Sequence, residues 1–181
     1  METNLQEFDA LSRFWRANLN IVLVEPEIPG NTGSIGRTCV ALGATLTLVE
    51  PLGFSLEEKQ LRRAGLDYWP HLQWGRLPSA ESLWVGMDTL EVWPRSYLVT
   101  TKGRQFLGQC PFVPGAILIF GKETKGLSAE VLAKKADRTV RLPMRPESRS
   151  LNLAVSVGAV AYTAMAQLNW PGLQLSASGT K

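Results

Sequence analysis

The stretch NIVLVEPEIPGNTGSIGRTCVALGATLTLV, residues 20–49, decides the fold class. It opens on Asn20 to Val24, a continuous apolar and largely β-branched run, the mark of a strand buried on both faces. Glu25 to Gly30 hold two prolines and a glycine and read as a loop without regular structure. From Thr32 to Gly43, Ile35, Cys39 and Leu42 fall on one side of a helix, and the glycines among them imply close packing. Thr45 to Val49 is a second strand. Strand, loop, helix and strand in this order form a parallel βαβ unit.

The pattern continues outward. Tyr97–Thr100, Ala116–Phe120 and Thr139–Leu142 read as further buried strands. Leu56–Ala64, Leu127–Leu132 and Asn152–Leu168 read as helices, the last so apolar that it must be covered on several sides. Tyr68–Trp74 alternates weakly around Pro70 and suits an edge or short strand. A helix is expected over Ser79–Trp84, started by Pro78 and Glu81, with Ser79 and Ser82 too weak a pair for a capping box. The whole is an α/β domain with a mostly parallel sheet flanked by helices, over residues 19–170. Residues 1–18 stand apart as an N-terminal extension. Phe8 to Trp15 have the spacing of a short helix that packs on the domain or on a second subunit. Residues 171–181 read as a flexible tail rich in Ser and Gly.

Composition sets mild limits. A chain of 181 residues with 45% hydrophobic and 19% charged residues suits one domain with a full core. No run approaches the roughly 20 apolar residues of a membrane span. The acids Glu2, Glu7 and Asp9 argue against a signal peptide. Two distant cysteines, Cys39 and Cys110, and a single histidine, His71, fit neither a disulfide framework nor a metal site, so a reducing, cytoplasmic setting is expected. Net charge is only +3. The bases, however, gather at Lys59, Arg62 and Arg63, at Lys102 and Arg104, and from Lys122 through Arg149. Such clustering suits a nucleic acid, although a solvated basic surface would look the same.

Three polar loops follow strands: PEIPGNTGSIGR at 26–37, IFGKETKGL at 119–127 and LPMRPESRSLNL at 142–153. In a parallel sheet all three lie at the carboxyl ends of strands, where ligands bind. Residues 121–126 lack the order of a phosphate-binding P-loop, and residues 32–36 fall short of the dinucleotide fingerprint. No hydrolytic triad assembles readily. Gly121 and Gly126 instead permit close backbone approach. Leu142, Pro143, Met144 and Leu151 could enclose a flat ring, while Glu123, Ser150 and Asn152 offer directional hydrogen bonds. That is the make-up of an adenosine pocket. The plainer reading has Ser150 capping the last helix and Asn152 satisfying its first turn.

Five motifs in order carry a family resemblance: residues 20–37, LRRAGLD at 61–67, TTKG at 100–103, FGKETKGL at 120–127 and PESRSLNL at 146–153. Together they resemble the SPOUT RNA methyltransferases, and among these the small tRNA 2'-O-methyltransferases of wobble cytidine or uridine. The resemblance implies a deep C-terminal trefoil knot that holds S-adenosyl-L-methionine and releases S-adenosyl-L-homocysteine. It implies cofactor contacts at Val99, Thr100, Thr101, Gly121, Glu123, Leu142, Met144, Ser150 and Leu151. It puts catalytic roles on Asn31, Arg37, Ser150 and Asn152, with Arg37 at the 2'-oxygen and Asn31 holding Arg37 or the ribose. The implied partners are the tRNA anticodon arm and a second copy of the chain, the homodimer sharing its active site; no metal and no membrane are implied. Arg62, Arg63, Lys102 and Lys122 are candidates for a phosphate track. Lys122 and Lys125 stand where a common version of the motif has proline and arginine, and the Trp-rich segment 69–93 also departs from the family. A ribosomal RNA substrate, or an RNA-binding protein with a degenerate pocket, is the alternative.

Overall fold

The computed structural model describes residues 11–55 and 68–173. The expected helix at 56–64, the motif at 61–67, the track residues Arg62 and Arg63, and the tail beyond residue 173 lie outside the described residues.

Seven strands form one sheet: β1 (Leu19–Val24), β2 (Thr45–Val49), β3 (Trp74–Leu77), β4 (Ser96–Val99), β5 (Gln105–Phe106), β6 (Ala116–Phe120) and β7 (Thr139–Arg141). Their order is β3-β2-β1-β6-β4-β7-β5, and every neighbouring pair is parallel. Among the described residues the helices with both ends defined are α1 (Pro29–Leu42), α2 (Ala80–Thr89), α3 (Ala129–Lys134) and α4 (Leu153–Gln167). β1, β2, β4 and β6 are buried along their whole length; β1 and β6 run almost wholly apolar, whereas β2 alternates threonine with leucine and keeps Thr45 and Thr47 buried. Even Asn20, fully buried in β1, is satisfied: its amide donates to Ala17, Gly115 and Ala116 carbonyls, and its Oδ1 accepts from the Thr45 hydroxyl at 2.8 Å.

Two apolar layers cover the sheet. On one face α1 and α4 pack with Ile21, Leu23, Val99, Leu118 and Val140. On the other, α2 and α3 pack with Val22, Val24, Leu98, Ile117 and Ile119. The second layer also takes Leu11 and Trp15. Trp15 is 1% exposed, and its indole N–H donates to the Thr47 hydroxyl at 3.1 Å. The described end of the N-terminal segment therefore packs on the domain, the first of the two options its spacing offered. No described helix is long and apolar enough to cross a membrane.

Local details correct the sequence reading. α1 begins at Pro29, inside the expected loop, because proline at the first helical position has no N–H to leave unpaired. Around Pro70 the chain forms a short 3-10 turn, Trp69–His71, and the strand starts only at Trp74. Ser79 does cap α2, accepting from the Ser82 N–H at 3.1 Å, without any glutamate at the third position. β5 has two residues and no periodic signal. At α4 the cap is Asn152, not Ser150: Asn152 Oδ1 accepts from Ala154 and Val155 N–H at 2.8 and 3.3 Å.

Candidate active site at the carboxyl ends of the strands

Because all strands are parallel, the loops after β1, β4, β6 and β7 meet at one end of the sheet. They enclose a cavity of about 930 Å3. Val99, Thr100 and Thr101 come to it from the end of β4, and Gly121 and Glu123 from the loop after β6. The segment after β7 adds Leu142, Met144, Ser150 and Leu151. Asn31 and Asn152 also line it. Ala133 in α3 and Ala136 just after it form a wall that the sequence reading did not anticipate.

Backbone contact sets the shape of this cavity. A Cβ on Gly121 would lie 2.1 Å from the Gly126 carbonyl carbon, and Gly126 itself takes φ +67. Residues 121–126 thus close on themselves with no room for a side chain at the first position. The loop after β4 is equally tight: a Cβ on Gly103 would lie 2.4 Å from the Val140 carbonyl carbon. Here the connection from β4 to β5 runs against the backbone of β7, which sits between those two strands.

Glu123 ties the loops together. Its carboxylate accepts from the Glu27 N–H at 2.8 Å, the Ile28 N–H at 3.3 Å and the Asn31 amide at 2.9 Å. Ile28 is the N-cap residue of α1 and provides no side-chain cap. Glu123 takes that role from the far loop, and a carboxylate is favoured there by the positive end of the helix dipole. Asn31 Oδ1 in turn accepts from the Asn152 amide at 3.0 Å, and Asn152 caps α4. One polar chain therefore runs from Glu123 through Asn31 to Asn152. It is reinforced by Glu27, whose carboxylate accepts from the Thr124 N–H at 3.0 Å and hydroxyl at 2.9 Å.

Lys122 lies beside this chain. Its Nζ donates to Glu25 at 2.5 Å, and that hydrogen bond holds the ammonium above its ordinary pKa. Lys122 is therefore an ion-paired strut between two loops and not an open member of a phosphate track. The signal that sequence reading missed is the acid pair Glu25 and Glu27 flanking Pro26, which faces Lys122 and Thr124.

Arg37 is not in the cavity. It lies on the exposed side of α1, where it lines a separate depression with Ser34, Thr38, Ala41 and Tyr162 of α4. Its guanidinium sits over the Tyr68 ring, 5.1 Å from the centroid. Asn31 does not hold Arg37, since the Asn31 amide is engaged by Glu123 and Asn152. The structure thus brings Asn31, Ser150 and Asn152 together and leaves Arg37 of the same chain apart.

The cavity's chemistry fits an adenosine cofactor. Apolar walls from Leu142, Met144 and Leu151 suit a flat ring, hydroxyls at Thr100, Thr101 and Ser150 suit its polar edges, and the volume is in the range of about 300–1,000 Å3 usual for small-molecule sites.

Known proteins share this sequence and fold. A tRNA (cytidine(34)-2'-O)-methyltransferase of Escherichia coli (strain K12) is 42% identical over 158 residues, covering 87% of this chain and 98% of that protein. One of the same name from Burkholderia ambifaria is 42% identical over 84% of this chain and 97% of its own. A solved structure described as giving insights into the 2-OH methylation of C/U34 on tRNA superposes with a TM-score of 0.75 at 44% identity, covering 83% of this chain and 96% of its own. The SpoU methyltransferase AviRb from Streptomyces viridochromogenes, solved with the cofactor AdoMet, gives a TM-score of 0.72 at 27% identity, with 85% of this chain matched to 62% of that one. The family model of the SpoU rRNA Methylase family matches residues 18–162, and the chain belongs to that family.

Proposed function

We propose that this protein transfers a methyl group from S-adenosyl-L-methionine to the ribose 2'-hydroxyl of nucleotide 34 in the anticodon arm of tRNA, in the cytoplasm. The observation that carries the reading is the cavity itself. Its Gly121–Gly126 loop, apolar wall and Glu123–Asn31–Asn152 chain sit at the carboxyl ends of a parallel sheet, in a chain aligned with tRNA methyltransferases over nearly their full length. The cofactor, when bound, supplies an electrophilic methyl group on a sulfonium. Leu142, Met144 and Leu151 would hold its adenine, and Thr100, Thr101 and Ser150 its polar edges. We read β7, set between β4 and β5, as the threaded segment of a trefoil knot.

The protein's remaining task is to orient the 2'-hydroxyl and accommodate its proton. A guanidinium, with a pKa of about 12.5 or more, is a poor free base but a good positioner of that oxygen. Arg37 is assigned this role toward the cavity of a second copy, because in its own chain it lies outside the cavity. We place the interface along α1 and α4. Ser34, Arg37 and Ala41 on α1 line up beside Val155, Ala159, Tyr162 and Ala166 on α4, all exposed at helical spacing, with Val155 at 56% and Tyr162 at 47%. Tyr162→Asp is expected to turn a dimer into a monomer in sedimentation at micromolar concentration, with loss of activity. A fully active monomer would contradict the shared site.

Arg37→Lys is expected to keep RNA and S-adenosylhomocysteine binding and to lower kcat roughly tenfold or more, because the ammonium lacks the planar fork. Unchanged kcat would remove Arg37 from the reaction. The substrate position is checked with a tRNA carrying 2'-deoxyribose at residue 34: it should bind but accept no methyl group, and methylation of that tRNA would overturn the assignment.

A further inference from the structure

The edge of the sheet holds a feature that the cofactor cavity does not use. β5 is the edge strand, and Phe106 pairs in register with Arg141 of β7. The two side chains therefore emerge side by side on the α3 face. The Arg141 guanidinium lies 4.1 Å from the Phe106 ring centroid. Phe106 is 37% exposed, and Arg141 Nε is buried without a hydrogen-bond partner. Lys102 and Arg104 stand exposed on the adjoining loop, where they also line the cavity.

Charge pairing separates this cluster from the bases around α3, although Lys125, Arg145 and Arg149 likewise have no carboxylate within 4 Å among the described residues; the neighbouring ring is what sets it apart. Lys122, Lys134, Lys135 and Arg138 each have a carboxylate within 4 Å. Among the described residues, Lys102, Arg104 and Arg141 have none. A group of uncompensated cations beside an exposed aromatic ring is what an unpaired, polyanionic nucleic acid strand selects. Bases stack on rings and on guanidinium planes, and phosphates take the charge. A protein partner would be expected to bring acids but would leave the ring's exposure unexplained. The patch is on the face of the sheet opposite α1 and α4, so the proposed dimer leaves it open.

We propose that Phe106 and Arg141 form a stacking platform for an unpaired base of the RNA substrate, with Lys102 and Arg104 holding the phosphates between that base and the cavity. This rests on the proposed function and adds where the RNA strand runs beyond the methylated nucleotide. The test measures binding of an anticodon stem-loop across a salt series, alongside S-adenosylhomocysteine affinity and thermal stability, for Phe106→Ala, Phe106→Trp and Arg104→Ala. Phe106→Ala should weaken RNA binding by about five- to a hundredfold, the range of one lost base stack, with the salt slope unchanged. Phe106→Trp should restore it. Arg104→Ala should reduce the slope of log K against log salt by about 0.7–1. Cofactor affinity should be unaffected in both Phe106 variants, since Phe106 does not line the cavity. Wild-type RNA affinity in Phe106→Ala, or a parallel loss of cofactor affinity, would overturn the platform while leaving the proposed function standing. An unsubstituted protein that neither binds the stem-loop nor methylates tRNA would overturn both.

Discussion

Gly121→Ala is expected to abolish S-adenosylhomocysteine binding and methyl transfer together. The new Cβ would lie 2.1 Å from the Gly126 carbonyl carbon and 2.2 Å from the Leu127 nitrogen, both backbone atoms that no rotamer change can move aside. Relief requires the 121–126 loop to open, and that loop is one wall of the cavity. Overpacking of this kind costs about 1–3 kcal/mol, which a domain of this size survives. The protein should therefore still fold, with its circular dichroism unchanged, and show no heat on titration with S-adenosylhomocysteine. Retention of wild-type affinity would mean that the cofactor does not depend on this loop. Gly158→Ala is the matched control, because a Cβ there meets nothing within 4 Å.

Glu123→Ala is expected to show the second largest effect. Three donors lose their acceptor at once, two of them from the backbone at the start of α1 and one from Asn31. These groups are only partly buried, so water recovers some of the loss. A net cost of about 2 kcal/mol corresponds to a Tm lower by roughly 4–8 °C in a chain of this length. The functional cost should be larger. Without Glu123 the Asn31–Asn152 pair is no longer anchored, and a displacement of about 1 Å in a positioned site reduces turnover about a hundredfold. Glu123→Gln should fall between, since an amide oxygen still accepts but carries no charge toward the helix dipole. If Glu123→Ala lowered Tm while leaving kcat and cofactor affinity intact, Glu123 would be a loop brace with no bearing on the site.

These expectations rest on features of uneven visibility in the sequence. The βαβ alternation was legible because β1 and β6 are buried on both faces and so are written as nearly continuous apolar runs, and because β2 is written in threonine, leucine and valine. The strand order was not. β7 is sequentially last yet lies between β4 and β5, and nothing in three residues of sequence signals an insertion. The cavity's wall was legible through Leu142, Met144 and the glycines of residues 121–126, since flat ligands and tight backbone turns demand those residue types. Long-range polar pairing was hidden. The cap of α1 comes from Glu123 in another loop, so the local sequence at Ile28 has no cap signal. The Lys122–Glu25 pair joins residues 97 apart and turns an expected RNA contact into a strut. Arg37 was recognisable as a functional candidate through the family motif, but only the structure shows that it faces away from its own cavity.

The most direct test of the account is nucleoside mapping after reaction. Purified protein is incubated with S-adenosylmethionine and, separately, with unmodified tRNA and ribosomal RNA. The predicted result is a single new 2'-O-methylated nucleotide at position 34 of tRNA, absent when Gly121→Ala replaces the unsubstituted protein. Methylation confined to ribosomal RNA, or no methyl transfer by a protein that still binds tRNA, would contradict it.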